Sequence, residues 1–147
     1  MTSVNGWALY AHPLLTGQLE KLTDAAERER HIPGPNTKLL AALNHLIFEA
    51  IPQDPSRPEY RQGATLGSNH KHWFRAKFGN GRYRLFYRYD SQAKVIVYAW
   101  VNDASTLRTY GSRTDAYAGF GKMLKQGNPP DDWKALLEAA GQHSTDL

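Results

Sequence analysis

Three segments in the second half of the chain have the composition of β-strands: residues 72–79, 82–90 and 94–102. They are rich in aromatic and β-branched residues, which favour extended structure. The dipeptide Asn80-Gly81, which is typical of tight hairpin turns, separates the first two segments. The pattern therefore predicts an antiparallel three-stranded meander.

The first half of the chain is predicted to contain one strand and two helices. Residues 5–13 read as a short strand. Leucines at helical spacing then predict a helix over residues 16–31, which the sequence IPGP ends. A second leucine stripe predicts a helix with Asn36 as its N-cap and Pro52 at its end.

Two further helices are predicted after the strands. Apolar residues predict a helix over residues 114–126, closed by Gly127, and Asp131 is the predicted N-cap of the last helix. The order β-α-α-β-β-β-α-α predicts an α+β fold with one small antiparallel sheet packed on an N-terminal helical hairpin. Residues 1–147 are expected to form a single domain, with residues 142–147 as a frayed tail.

Pairing across the Asn80-Gly81 turn gives the predicted hairpin two different faces. The apolar face, expected to pack on the helices, carries Phe74, Ala76, Phe78, Tyr83, Leu85 and Tyr87. The other face, expected to be exposed, carries Trp73, Arg75, Lys77, Arg82, Arg84, Phe86 and Arg88. On that face Lys77 lies opposite Arg84, and like charges at such positions destabilise a strand pair by up to ~1 kcal/mol.

Positive charge is concentrated in this part of the chain. Residues 57–88 contain eight Lys or Arg residues and one acid, whereas the whole chain has a net charge of +4. One interpretation is a solvated sheet face whose cations prevent edge pairing. The other is binding of a nucleic acid, in which arginines contact phosphates and exposed rings such as Trp73 and Phe86 stack on bases.

Composition excludes several other classes of protein. The chain has no cysteine, so a disulfide framework, a thiolate metal site and a cysteine nucleophile are excluded. No signal peptide and no apolar run of transmembrane length are recognised, so a cytoplasmic protein is expected.

Four stretches closely resemble the YhaV toxins of bacterial type II toxin–antitoxin systems. They are VNGWALYAHP, FRAKFGNGRYRLFYRY, KVIVYAWVNDASTLRTYG and RTDAYAGFGKMLKQGNPPDDW, and the resemblance covers nearly the whole chain. It implies a RelE-like fold and a metal-independent endoribonuclease that cleaves mRNA, on or off the ribosome. It also implies a PrlF-type antitoxin with an AbrB-like domain, which would link the complex to promoter DNA.

In RelE-type enzymes the 2′-hydroxyl of the RNA attacks the adjacent phosphorus, leaving a 2′,3′-cyclic phosphate and a 5′-hydroxyl. The resemblance places catalytic residues at Arg75, Lys77 and Arg84. Lys77 is the expected base or charge stabiliser, because neighbouring cations favour the neutral form that a base requires. Residues expected to bind RNA are Lys71, Trp73, Arg82, Phe86 and Arg88.

The resemblance also places an arginine and a tyrosine after the last strand. Arg108 and Tyr110 are the preferred residues, with Arg113 and Tyr117 as alternatives. Tyr117 lies on the apolar stripe of the predicted helix, so core packing is its expected role.

Other features leave alternatives open. His70 and His72 form a His-x-His pair, but no third ligand stands out, so no metal ion or cofactor is expected. A protein of this fold could also act without a nuclease site, by binding nucleic acid, by poisoning DNA gyrase, or as a repressor with its antitoxin.

Overall fold

The computed structural model describes residues 2–102 and 113–143. Two short strands are followed by two helices, a three-stranded meander and two further helices. The strands are β1 (Thr2–Val4), β2 (Trp7–Ala11), β3 (Phe74–Phe78), β4 (Tyr83–Asp90) and β5 (Val95–Val101). The helices are α1 (Pro13–Glu27), α2 (Pro35–His45), α3 (Arg113–Lys125) and α4 (Trp133–His143).

The α+β class and the antiparallel meander β3–β4–β5 are confirmed, but two details of the predicted sheet are wrong. The N-terminal strand is a hairpin, because Asn5 and Gly6 turn the chain with positive φ between β1 and β2. The five strands lie in the order β1-β2-β5-β4-β3, and β2 runs parallel to β5. The sheet is therefore mixed rather than antiparallel.

Helices cover both faces of this sheet. On one face α1 and α2 pack on alternate residues of β3, β4 and β5, including Leu85 and Tyr98. On the opposite face α3 and α4 pack on Phe86 and Trp100. The basic face of the hairpin, predicted to face solvent, thus lies largely beneath the C-terminal helices.

The hairpin register follows the prediction. Asn80 and Gly81 have φ values of 58° and 78°, as a primed two-residue turn requires. Phe74 pairs with Tyr87, Ala76 with Leu85 and Lys77 with Arg84. These pairs are the ones expected from the sequence.

The bounds of the first two helical segments differ from the predicted ones. The first helix begins at Pro13, where His12 Nδ1 caps it by accepting a hydrogen bond from the backbone N–H of Leu14. Pro52 lies within the last turn of the second helical segment, which continues from α2 through a π-helical turn over Leu46–Ala50 to Ile51–Gln53.

The last helix is capped by Asp132 rather than by Asp131. Asp132 Oδ2 accepts a hydrogen bond of 3.0 Å from the backbone N–H of Ala135. The helix continues to His143, and the rest of the predicted frayed tail lies outside the described residues. Among the helices described here, none is both long and apolar enough to span a membrane.

The start of α2 depends on Glu29 rather than on an N-cap side chain of Asn36. The N-cap residue is Gly34, and the Glu29 carboxylate accepts hydrogen bonds from the backbone N–H groups of Gly34, Asn36 and Thr37. These contacts lower the pKa of Glu29 to about 2. The hydrogen bond from the Thr37 N–H is the largest cause, and hydrogen bonds from the side chains of Asn36 and Thr37 lower the pKa further. A Cβ atom at Gly34 would lie 2.9 Å from the Glu29 carboxyl carbon, so glycine permits this approach.

We predict that Glu29→Gln lowers the urea midpoint of unfolding at pH 6 and loses this effect as the pH falls from about 4.5 to about 2. The unfolded chain takes up a proton near pH 4.5, whereas the folded chain keeps the carboxylate charged until about pH 2, so its contribution disappears in this window. Urea unfolding at several pH values measures the difference.

The matched control for this prediction is Glu27→Gln. Glu27 is exposed and is paired with Arg30 at 3.6 Å, in an ion pair of a kind that contributes little. Equal effects of the two substitutions at every pH would contradict a capping role for Glu29.

Candidate active site

Strands β3 and β4 place three of the predicted catalytic residues on one face of the sheet. Arg75 lies opposite Phe86, and Lys77 lies opposite Arg84. Lys77 is exposed, Arg75 is partly buried and Arg84 is only 1% exposed. The hairpin therefore presents its cations at different depths.

A stack of aromatic rings fixes helix α3 over this face. The ring of Phe120 stacks on Phe86 and Trp100, with centroid distances of 4.3 and 5.6 Å. Trp73 meets the edge of the same ring at 4.9 Å. Tyr117 lies one helical turn before Phe120, which brings its hydroxyl to the arginines of the hairpin.

The hydroxyl oxygen of Tyr117 accepts hydrogen bonds from two guanidinium groups. Arg75 Nε donates at 2.8 Å and Arg84 Nε donates at 3.1 Å. Burial of the ring raises the pKa of Tyr117, but the hydrogen bonds and positive charges of the two arginines outweigh that effect and lower the pKa below its ordinary value. The site thus favours the phenolate form more than water does.

Backbone contacts hold Arg84 in place. Its Nη1 donates to the carbonyl oxygen of Gly81 at 2.9 Å, and its backbone N–H donates to Asn102 Oδ1 at 2.6 Å. Asn102, itself 1% exposed, also donates through Nδ2 to the carbonyl oxygen of Arg82. The side chain of Asn102 therefore fixes the backbone that carries the buried arginine.

The charges of Arg75 and Arg84 are not neutralised by the contacts seen within residues 2–102 and 113–143. The acceptors there are the Tyr117 phenol and the carbonyl oxygens of Gly81 and Glu59, the latter 2.7 Å from Arg75 Nη1. A phenol and two amide carbonyls satisfy the donors but carry no full negative charge. With Lys77 exposed beside Arg84, the cluster attracts an anion such as a phosphate.

Two of the residues predicted to bind RNA are buried, although the sequence analysis expects them to be exposed. Trp73 and Phe86 are both fully buried, with 0% exposure, beneath α3. The expectation that their rings are exposed for stacking on bases is wrong, because the C-terminal helices cover this face.

The remaining predicted residues are spread over several places. Lys71 and Arg82 are exposed, before β3 and in the hairpin turn. The guanidinium of Arg88 lies 5.8 and 5.3 Å from the ring centroids of Trp73 and Trp133 and donates to the carbonyl oxygen of Asp131. Arg108 and Tyr110 lie outside the described residues.

Tyr117 and Asn102 are residues of this cluster whose contacts the sequence reasoning undervalued. The predicted packing role of Tyr117 is confirmed, since its ring meets Phe86 edge-on at 5.8 Å. The signal for its second role was the hydroxyl itself, because a buried tyrosine usually finds a hydrogen-bond partner. Asn102 gave no signal, since its partners lie 18 and 20 residues away in sequence.

A groove of about 630 Å³ opens beside the hairpin turn, on the side of α1 and α2. Leucines of both helices and the rings of Phe78 and Tyr83 line it, and Lys21, Lys38 and Arg82 supply its charges. Among the described residues that line the groove there is no acidic side chain.

Comparison with known proteins shows the class of protein to which the chain belongs. A family model described as a toxin with endonuclease activity, of a toxin–antitoxin system, matches residues 9–141. The chain is 50% identical over 140 residues to the ribonuclease toxin YhaV of Escherichia coli K12, which covers 90% of this chain and 91% of that protein. It is 49% identical over 142 residues to the toxin YhaV of Escherichia coli O6:H1, covering 92% of each.

The class is therefore that of endonuclease toxins from toxin–antitoxin systems. Within this class the chain belongs to the YhaV toxin family, as the sequence resemblance implied. No solved structure matches the chain significantly.

We predict that Arg75→Gln raises the pKa of Tyr117. The substitution removes one positive charge and the Nε–H donor that stabilise the phenolate, whereas burial of the ring still raises the pKa. A pH titration of the tyrosine ¹³Cζ resonances by NMR measures the effect, and Tyr117→Phe identifies the resonance of Tyr117.

Arg57→Gln is the control for this titration, because Arg57 is an exposed arginine whose ion pair is formed with Glu59 at 3.7 Å. A Tyr117 pKa that is the same in the native chain and in Arg75→Gln would show that the hydrogen bond does not tune the phenol.

Proposed function

We propose that this chain is a metal-independent endoribonuclease toxin that cleaves mRNA at the cluster of Arg75, Lys77, Arg84 and Tyr117. The observation that carries the proposal is the Tyr117 hydroxyl, held between the Nε atoms of Arg75 and Arg84. The relative in Escherichia coli K12 is named a ribonuclease toxin, and the family description names an endonuclease activity.

The reaction needs a base for the 2′-hydroxyl, positive charge for the phosphorane and an acid for the leaving oxygen. In our proposal Tyr117, whose phenolate form is stabilised by two arginines, accepts the proton of the 2′-hydroxyl. The 2′-oxygen then bonds to phosphorus while the bond from phosphorus to the 5′-oxygen breaks. Lys77, the exposed cation of the cluster, stabilises the charge and donates a proton to the 5′-oxygen.

Arg75 and Arg84 differ in their proposed roles because they differ in burial. Arg75 is partly exposed, so its guanidinium is able to contact a phosphate oxygen directly. Arg84 is buried and acts through Tyr117, as a positioning residue. Lys71 and Arg82 remain the proposed contacts to flanking phosphates, and Arg108 and Tyr110 remain predictions from the resemblance.

We expect the purified chain to cut a labelled RNA in EDTA without ribosomes, leaving a 2′,3′-cyclic phosphate and a 5′-hydroxyl. Tyr117→Phe should slow cleavage by roughly 10²- to 10⁴-fold, the usual contribution of a general base. Lys77→Ala should also slow it, because the charge nearest to solvent is lost.

Tyr89→Phe is the matched control, since Tyr89 packs on the opposite face, against Trp7 and Phe74. Thermal unfolding of each variant separates loss of catalysis from loss of fold. Full activity of Tyr117→Phe would overturn the assigned base. Undiminished toxicity of Lys77→Ala/Tyr117→Phe would favour a toxin that acts by binding alone, and failure of the native chain to cut free RNA would require ribosomes in the assay.

We further propose that the partners are a PrlF-type antitoxin, promoter DNA bound through that antitoxin, and the ribosome with its mRNA. We also propose a RelE-like fold relationship, supported by the two helices that precede the meander and by basic residues on β3 and β4. An apolar antitoxin segment flanked by acids suits the groove beside the hairpin turn, whose floor is apolar and whose described charges are the cations Lys21, Lys38 and Arg82.

This assignment predicts that Lys21→Glu/Lys38→Glu slows association with the cognate antitoxin and weakens its salt dependence, because charge at an interface chiefly affects the on-rate. Surface plasmon resonance at two salt concentrations measures both effects. Lys134→Glu, an exposed charge reversal on α4, is the control. Identical kinetics for the double variant and the control would place the antitoxin elsewhere.

A further inference from the structure

We propose that His70, His72 and Asp131 form a binding site for a divalent transition-metal ion of the Zn²⁺ type. This site is separate from the proposed ribonuclease cluster, whose reaction needs no metal. Two imidazoles and a carboxylate are suitable ligands for such an ion, with water completing the coordination.

The ligand atoms already converge on one point. His70 Nδ1 lies 2.9 Å and His72 Nε2 lies 3.0 Å from Asp131 Oδ1, and the three ligand atoms lie within 4.8 Å of one another. Two ligands of a tetrahedral zinc ion with bonds of 2.0–2.1 Å are separated by about 3.4 Å. Entry of an ion would therefore lengthen the two histidine–carboxylate separations by about 0.4 to 0.5 Å, from 2.9 and 3.0 Å to about 3.4 Å.

The two imidazoles approach from different directions. Their ring centroids are 6.2 Å apart and their planes are inclined by 76°. His70 presents Nδ1 and His72 presents Nε2, so the short His-x-His spacing does not force both rings onto one side of the ion.

Other contacts hold the ligands before any ion binds. Trp73 Nε1 donates to Asp131 Oδ1 at 2.8 Å and orients the carboxylate. Gln62, 5% exposed, donates through Nε2 to the carbonyl oxygen of His70 at 2.8 Å and fixes the turn that carries both histidines. Outer hydrogen bonds of this kind are what hold ligands in metal sites.

The site is open to solvent and lies among charges of both signs. The side chains of His70, His72 and Asp131 are 21%, 38% and 36% exposed, which gives an ion a path of entry. Two cations lie near the site: the exposed Lys71, which stands between the two histidines in the sequence, and Arg88, which donates to the backbone carbonyl of Asp131 and lies between two indole rings. The negative charge of Asp132 partly offsets the positive charge of Arg88.

The chain without an affinity tag, titrated with Zn²⁺ against a chromophoric chelator at pH 7.5, tests the site. We expect one equivalent of Zn²⁺ per chain, with tighter binding as the pH rises because the ion displaces protons from the ligands. His70→Ala, His72→Ala and Asp131→Asn should each weaken binding by roughly tenfold or more, since even outer-shell changes cost 10- to 100-fold.

His45→Ala is the matched control, because His45 lies 3.2 Å from the carboxylate of Glu49 in an exposed pair that is not part of a three-ligand group among the described residues. Its Zn²⁺ affinity should equal that of the native chain. Histidine ¹⁵N resonances provide a second readout, in which Zn²⁺ should shift Nδ1 of His70 and Nε2 of His72. Thermal unfolding without metal establishes that each variant is folded.

The proposal is overturned by absence of a bound equivalent at micromolar Zn²⁺, or by native affinity in His70→Ala/His72→Ala. RNA cleavage in EDTA addresses the ribonuclease cluster alone, so failure of either proposal is recognised without reference to the other.

Discussion

The burial of Arg84 beneath α3 is the constraint on which the basic face depends. A charged side chain with 1% exposure must have its donors satisfied, because an unpaired buried charge is strongly destabilising. Tyr117 and the Gly81 carbonyl supply the acceptors. A carboxylate in the position of the phenol would also satisfy the guanidinium, but it would neutralise the charge. The neutral phenol leaves that charge uncompensated, and the same charge lowers the pKa of the phenol.

Local sequence signals were sufficient for the hairpin and insufficient for its surroundings. The Asn80-Gly81 turn and the two-residue period specified every pair from Phe74–Tyr87 to Phe78–Tyr83. The same period separates the two faces of a sheet but does not say which face is solvated. Alternating arginines and aromatic rings resemble a nucleic-acid platform, yet arginine stems and rings pack equally well under a helix. Trp73 and Phe86 are packed under a helix in this way.

Contacts between distant segments account for the other differences. The parallel pairing of β2 with β5 joins residues more than 80 positions apart, and neither strand encodes its direction relative to the other. Tandem aspartates before α4 offered two possible caps. Asp132 takes that role because Asp131 is held by Trp73 and the two histidines, 58 to 61 residues earlier. The catalytic roles assigned to Arg108 and Tyr110 depend on the resemblance, since both residues lie outside the described part of the chain.

Acids and cations are distributed unevenly along the face formed by β3 and β4. At the start of β3, Asp131 and Asp132 lie near Arg88 and offset its charge. Toward the hairpin turn, the contacts of Arg75 and Arg84 within the described chain are neutral oxygens, and Lys77 reaches solvent there. An anion that approaches this face is therefore drawn toward the turn. Since the Tyr117 hydroxyl lies between Arg75 and Arg84, the same gradient that attracts a phosphate brings it beside the group whose proton affinity those arginines control.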